Sequence, residues 1–285
     1  ENTAMGANAL DANTTASYNT SVGGESLKAN TTGAQNSALG QRALFANTTG
    51  SYNAAVGLSS LGHNTTGSNN AAVGYLALYE NTTGAENVAV GVEALQANTT
   101  GGSNTAIGMR ALEANTTAGN NTAVGIFAMG VNTTGDRNVA LGANALDANT
   151  TADGNTAVGY RALSTNTTAA LNTAVGFDAL LANVTGTSNT AVGGTALTAN
   201  VTGNNNTAIG VDSMQVGTTA AANTAVGYRS MNDITTGSEN SALGDEAGGS
   251  ITTGTQNVFV GQRAGNYITT ITTGNYNTYL GMATS

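Results

Sequence analysis

Twelve Asn-x-Thr triplets begin at Asn13, Asn30, Asn47, Asn64, Asn81, Asn98, Asn115, Asn132, Asn149, Asn166, Asn183 and Asn200, always seventeen residues apart, with Val in the middle of the last two. In a secreted protein each triplet can accept an N-linked sugar, so the first chemistry on offer is a single column of glycans. The competing use of the same residue is a turn Asn whose side chain bonds the local backbone. Sugars spaced by about 4.8 Å would crowd one another, which favours the turn. Replacement by Gly217, Ile234, Ile251 and Ile268 at the same phase implies that the turn can close without Asn.

Aromatic residues offer a second chemistry. Tyr75, Tyr160, Phe177 and Tyr228 share one phase of the same spacing, beside polar and charged neighbours. An exposed ring gives a sugar an apolar face, and Tyr adds a polar tip, so these four are candidate glycan contacts. The paired threonines, such as Thr82 and Thr83, form a third array. Adjacent strand residues point oppositely, so one Thr column can face outward, where stacked hydroxyls would suit ice, while the other is expected to line the core and bond its neighbours.

Catalytic parts are missing. The chain has one histidine, His63, and no cysteine. No pair of carboxylates sits in an irregular loop that could become a pocket, and no repeated calcium-loop motif occurs. The expectation is a protein with no enzymatic activity, cofactor or metal. Only seven basic residues stand against sixteen acidic ones, which argues against nucleic acid, since phosphate binding needs a Lys/Arg surface. No apolar stretch approaches the roughly 18 residues of a membrane span.

All of these residues are positioned by one period. Asn recurs every seventeen residues from Asn2 to Asn257, and a further unit starts three residues late at Asn277. Counted from that Asn as position 1, the consensus is N-T-A-V-G-x-x-A-L-x-A-N-T-T-G-x-x. Position 5 is Gly in every unit, including Gly91, Gly108 and Gly125, and position 4 is always Val, Leu, Ile or Met. Every charged residue except Glu1, which precedes the first unit in the phase of position 17, falls within a unit at position 6, 7, 10, 11, 16 or 17. Charges rarely bury unpaired, so those positions face solvent and the remainder include the core.

Seventeen residues are too few for the two helices of a helical repeat, and one Leu per unit is too few for a leucine-rich repeat. The expected fold is all-β, a parallel β-solenoid (β-roll or β-helix) of 17-residue coils, each laid on the last. Positions 2–4 form a short strand, Gly at position 5 permits a corner, and the aliphatics at positions 4 and 9 are expected in the core. Residues 2–276 are expected to make one solenoid of sixteen repeats. The last carries a three-residue insertion at Ile271-Thr272-Thr273, and residues 277–285 begin a partial repeat that leads into a further C-terminal region. Glu1 stands in mid-pattern, which suggests a piece of a longer chain. Asn at position 1, exemplified by Asn87, Asn104 and Asn121, is expected to stack as an amide ladder; these and the corner glycines are the structural residues. Near the end, Gly248 and Gly265 replace Leu at position 9, and Ile251 and Ile268 are expected to restore the lost volume.

Two large aliphatics per coil contribute roughly 1.5–3 kcal/mol each, against roughly 1–2 kcal/mol per residue of ordered backbone. That balance favours burial from neighbouring chains in a parallel homotrimer, with a single-chain solenoid held by ladders as the alternative.

The unit N-T-A-V-G-x-x-A-L, at Asn155 to Leu163 and Asn172 to Leu180, resembles the S-V-A-I-G-x-x-A units in the heads of trimeric autotransporter adhesins. The closing segment from Ala247 to Gly261 is similar to tandem repeats of phage-type tail-fibre proteins. The resemblance implies an extracellular, trimeric stalk on a cell surface or virion, used for attachment. The functional expectation is therefore a structural or adhesive fibre whose partners are copies of itself, with a cell-surface glycan as a second partner. The alternatives are a self-assembling, glycosylated filament and a glycan- or ice-binding solenoid.

Overall fold

A computed structural model describes residues 1–266 and 272–282. The chain divides into two compact units, Glu1–Ala140 and Leu141–Ser285. Each is by itself a parallel β-solenoid. In the first, three-residue strands recur at Thr3–Met5, Thr20–Val22, Ser37–Leu39, Ala54–Val56, Ala71–Val73, Val88–Val90, Thr105–Ile107 and Thr122–Val124. Each pairs in parallel with the next in strict register, as in Thr105 with Thr122, Ala106 with Ala123 and Ile107 with Val124. The second unit repeats the pattern from Thr156–Val158 through Val258–Val260 to Thr278–Leu280. A further strand, Val139–Leu141, lies at the division.

Coil-to-coil hydrogen bonds continue beyond the strands. The Leu95 amide donates to the Ala111 carbonyl at 2.9 Å, and the Thr82 amide to the Thr99 carbonyl at 2.9 Å. The backbone therefore meets its neighbour on several sides of the coil, which satisfies polar groups that a thin interior could not otherwise bury.

The corner at position 5 demands glycine for two reasons. Gly91 has φ +138°, and a Cβ built on it would lie 2.5 Å from the Gly108 carbonyl oxygen. Both the backbone conformation and the close approach of the next coil exclude a side chain. Past this corner, Glu93 and Leu95 take left-handed conformations, with φ of 57° and 55°. Ala94 and Leu95 are adjacent yet both fully buried, because the reversal of backbone handedness between them turns both side chains inward.

The interior of a coil is consequently small. In the coil from Asn87 to Ser103 it holds Asn87, Ala89, Ala94, Leu95, Asn98 and Gly101. No charged side chain is buried among the described residues, as the phase of the charges requires. The placement of position 4, however, corrects the sequence reading. The strand buries its central Ala and turns the flanking residues outward, so Val73 is 41% and Ile107 39% exposed. With Leu95 and two Asn side chains already inside, only Ala has room at the strand. The expected core Thr column is also displaced: Thr83 is exposed and Thr82 half-buried.

The end of the second unit departs from the consensus. Phe259 at position 3 is fully buried where the preceding coils carry Ala or Ser. Its ring fills the space left by Gly248, whose notional Cβ would lie 2.8 Å from Phe259 Cδ2, and it stacks on Tyr279 at 5.4 Å and 3°. Ile251 is buried, but the aromatic ring is what occupies the vacated Leu position. Thr252 bonds Thr272, twenty residues on, at 2.9 Å. Thr272 thus continues the Thr column. Ile268 and Ile271 are outside the described residues.

Candidate functional site

Two amide ladders run through each unit. In the position 1 column, the Asn104 backbone amide donates to Asn87 Oδ1 at 3.0 Å, and Asn104 Nδ2 reaches the same oxygen at 3.2 Å. Asn121 repeats the bond, its amide donating to Asn104 Oδ1 at 3.1 Å. In the position 12 column, Asn98 Nδ2 donates to Asn81 Oδ1 at 2.8 Å. The ladders converge: Gly101 O accepts from Asn87 Nδ2 at 2.9 Å and from Asn98 Nδ2 at 2.9 Å. Asn87 and Asn98 each use both Nδ2 hydrogens, and the Gly101 carbonyl uses both lone pairs.

The same geometry places the Asn-x-Thr side chains inside the coil, in the turn role that their spacing favours. Asn30, Asn47, Asn64, Asn81, Asn98, Asn115, Asn132, Asn149, Asn166, Asn183 and Asn200 are all fully buried; Asn13 is half-buried. From Asn13 onward each Nδ2 donates to the carbonyl three residues ahead, as in Asn47 to Gly50 at 2.9 Å. A sugar on that nitrogen is incompatible with the folded coil. The local bond is the turn contact that the Asn residue type suggests.

The neighbouring Thr hydroxyls also join coils. Thr82 Oγ1 donates to the Thr99 carbonyl at 3.0 Å. The outer Thr, such as Thr83, stands alone in an exposed column.

The four aromatic candidates are exposed, with Tyr75 and Tyr228 near half and Phe177 at 55%. Only two are brought together: Tyr160 and Phe177 stack at 5.9 Å and 11°. Beside this column, position 7 forms ion pairs between successive coils, including Arg42 with Glu25 at 3.4 Å, Arg110 with Glu93 at 3.4 Å and Arg263 with Glu246 at 2.8 Å. Exposed pairs of this kind contribute about 0–1 kcal/mol each, and they keep a charged column from repelling itself. Burial pushes the Asp147 carboxyl above its ordinary range, and the Arg161 charge offsets this only partly.

Among the described residues no group of three or more His, Cys, Asp or Glu could hold a metal ion, and no helix is long and apolar enough to cross a membrane. The feature that sequence reasoning missed is the outward aliphatic stripe. In the first unit it includes Leu39, Val56, Val73, Val90 and Ile107, and in the second Ile209, Leu243 and Val260. Its signal is the strict aliphatic pattern of position 4, which hydrophobicity alone would place in the core. No protein-family model matches the chain, and no curated protein matches it.

Proposed function

We propose that this chain is a segment of an extracellular structural or adhesive fibre, without enzymatic activity. It assembles as a parallel homotrimer in which the outward strand faces of three copies meet about a common axis. The observation that carries the reading is the position 4 stripe: a regular, uncharged column of Val, Ile, Leu and Met whose members are half-buried or exposed in the single chain, such as Val175, Val73 at 41% and Leu243 at 55%. Regular apolar surface of this kind marks an interaction site. Because the stripe recurs at the same phase in successive coils, its partner must present the same spacing, and a second copy does so by construction. The charged and aromatic columns stay outside such an assembly, where they are free to vary and to meet another surface.

Sedimentation equilibrium tests the assembly. The expected mass is three times the 28.0 kDa of the chain. A monomer that persists across the micromolar range overturns it.

A further inference from the structure

Position 10 in most coils carries a side chain that covers the corner, as Lys28, Phe45 and Gln96 do. At two of the three glycines there, Gly62, Gly130 and Gly249, a side chain of the next coil takes the space. At Gly62 the gap is closed by the Tyr79 ring, whose Cε2 would be 2.8 Å from an added Cβ. At Gly249 the Asn266 amide leans over the glycine, its Oδ1 2.9 Å from where a Cβ would stand, and beside it lies a cavity of about 140 Å³ lined by Arg229, Asn232, Asp233, Glu246, Gly249 and Asn266.

Two of the walls are already committed. Glu246 pairs with Arg263 at 2.8 Å and accepts from Asn266 Nδ2 at 3.2 Å, and Asn266 Oδ1 accepts from Ser250 at 2.8 Å. The other side is not. Asn232 is 6% exposed and lines the cavity, yet its amide has no hydrogen-bond partner among the described residues. Neither Arg229 nor Asp233 forms an ion pair there, although Arg263, at the same phase as Arg229, does. The amide is thus turned to the cavity, where it is available to a ligand.

We propose that this notch binds the ring of a neutral monosaccharide unit. Hydroxyl groups both donate and accept, so adjacent hydroxyls can bond the Arg229 guanidinium, the Asp233 carboxylate and the Asn232 amide together. An anion would be repelled by Asp233 and Glu246, and a bare cation by Arg229. Coils on either side of Gly249 are separated by about 9.6 Å, twice the strand spacing, which admits one saturated ring. Tyr228, 48% exposed, precedes Arg229 in the chain and carries its guanidinium 6.0 Å from the ring centre. The notch involves none of the position 4 residues, so it stands or falls apart from the trimer.

The test is a titration of the full chain with the methyl glycosides of glucose, galactose, mannose and N-acetylglucosamine, followed by saturation-transfer NMR and calorimetry. At least one glycoside is expected to bind in the millimolar range. Asn232→Leu should weaken it at least about tenfold, the loss of one buried polar pairing, and so should the exposed Asp233→Ala, which covers the case in which the buried variant fails to fold. The proposal is overturned if none of the four binds, if binding survives in a folded Asn232→Leu and in Asp233→Ala, or if glycine or inorganic phosphate occupies the notch instead.

Discussion

Asn98 Nδ2 lies 2.8 Å from Asn81 Oδ1 in the preceding coil, and Asn98 Oδ1 in turn accepts from Asn115 Nδ2 at 2.9 Å. A ladder of this kind has an end, and here it is Asn200, whose buried Oδ1 has no partner. The next coil carries Gly217 at that position, and the two after it Ile234 and Ile251.

Interior and terminal rungs should therefore respond differently. Asn98→Ile strands both the Asn81 oxygen and the Asn115 amide, and is expected to cost about 2–4 kcal/mol in urea denaturation. Asn200→Ile removes one orphaned oxygen while creating another at Asn183, and should change stability by less than about 1 kcal/mol. Equal losses at the two sites would show that the ladder bonds are not what the column contributes.

Gly91→Ala combines a disfavoured φ of +138° with a Cβ at 2.5 Å from the Gly108 oxygen. It should destabilise the first unit by at least about 3 kcal/mol. A thermal melt within a degree of the parent would contradict the close approach of successive corners.

On the stripe, Ile107→Asp places a charge on a side chain that the single chain leaves 39% exposed. The circular dichroism spectrum of the variant should match the parent while sedimentation shows loss of the trimer. Unfolding of the isolated chain would instead place Ile107 in the core.

Phe259→Ala should cost about 3–5 kcal/mol as a large core truncation. Gly248 has φ +61°, close to that of the Leu residues at the same position in other coils, so Gly248→Leu can be accommodated once the ring is gone. The double variant is expected to recover part of the loss, whereas Gly248→Leu alone should destabilise by collision with the ring. Additive losses in the double variant would refute the exchange of volume.

Asp147 provides a pH dependence. Burial raises its folded pKa above that of the unfolded chain, so its ionisation destabilises the fold at neutral pH, and the penalty fades as pH falls through the folded pKa toward the unfolded value. Asp147→Asn should accordingly raise the melting temperature at pH 7, with the difference vanishing below about pH 4. A variant that melts lower at pH 7 would mean that the carboxylate is better compensated than its unpartnered Oδ1 indicates.

Much of this molecule is legible in one chain of letters because the constraint repeats. Any residue that must lie on its counterpart in the next coil imposes the same demand every seventeen positions, so the period, the corner glycines and the confinement of charge to the outside are all set by sequence alone. The two faces of the strand are set as well, since Thr105, Ala106 and Ile107 must alternate. Which face turns inward is not. Hydrophobicity favours Ile107, but the available width depends on what else occupies the same cross-section: Leu112 and the amides of Asn104 and Asn115, all buried. Those residues are distant along the coil and meet only when it closes, leaving room for a methyl group at Ala106 and none for a branched chain. The same closure buries the sequon amides and opens the notch at Gly249, because each depends on contacts across or between coils that no local pattern records.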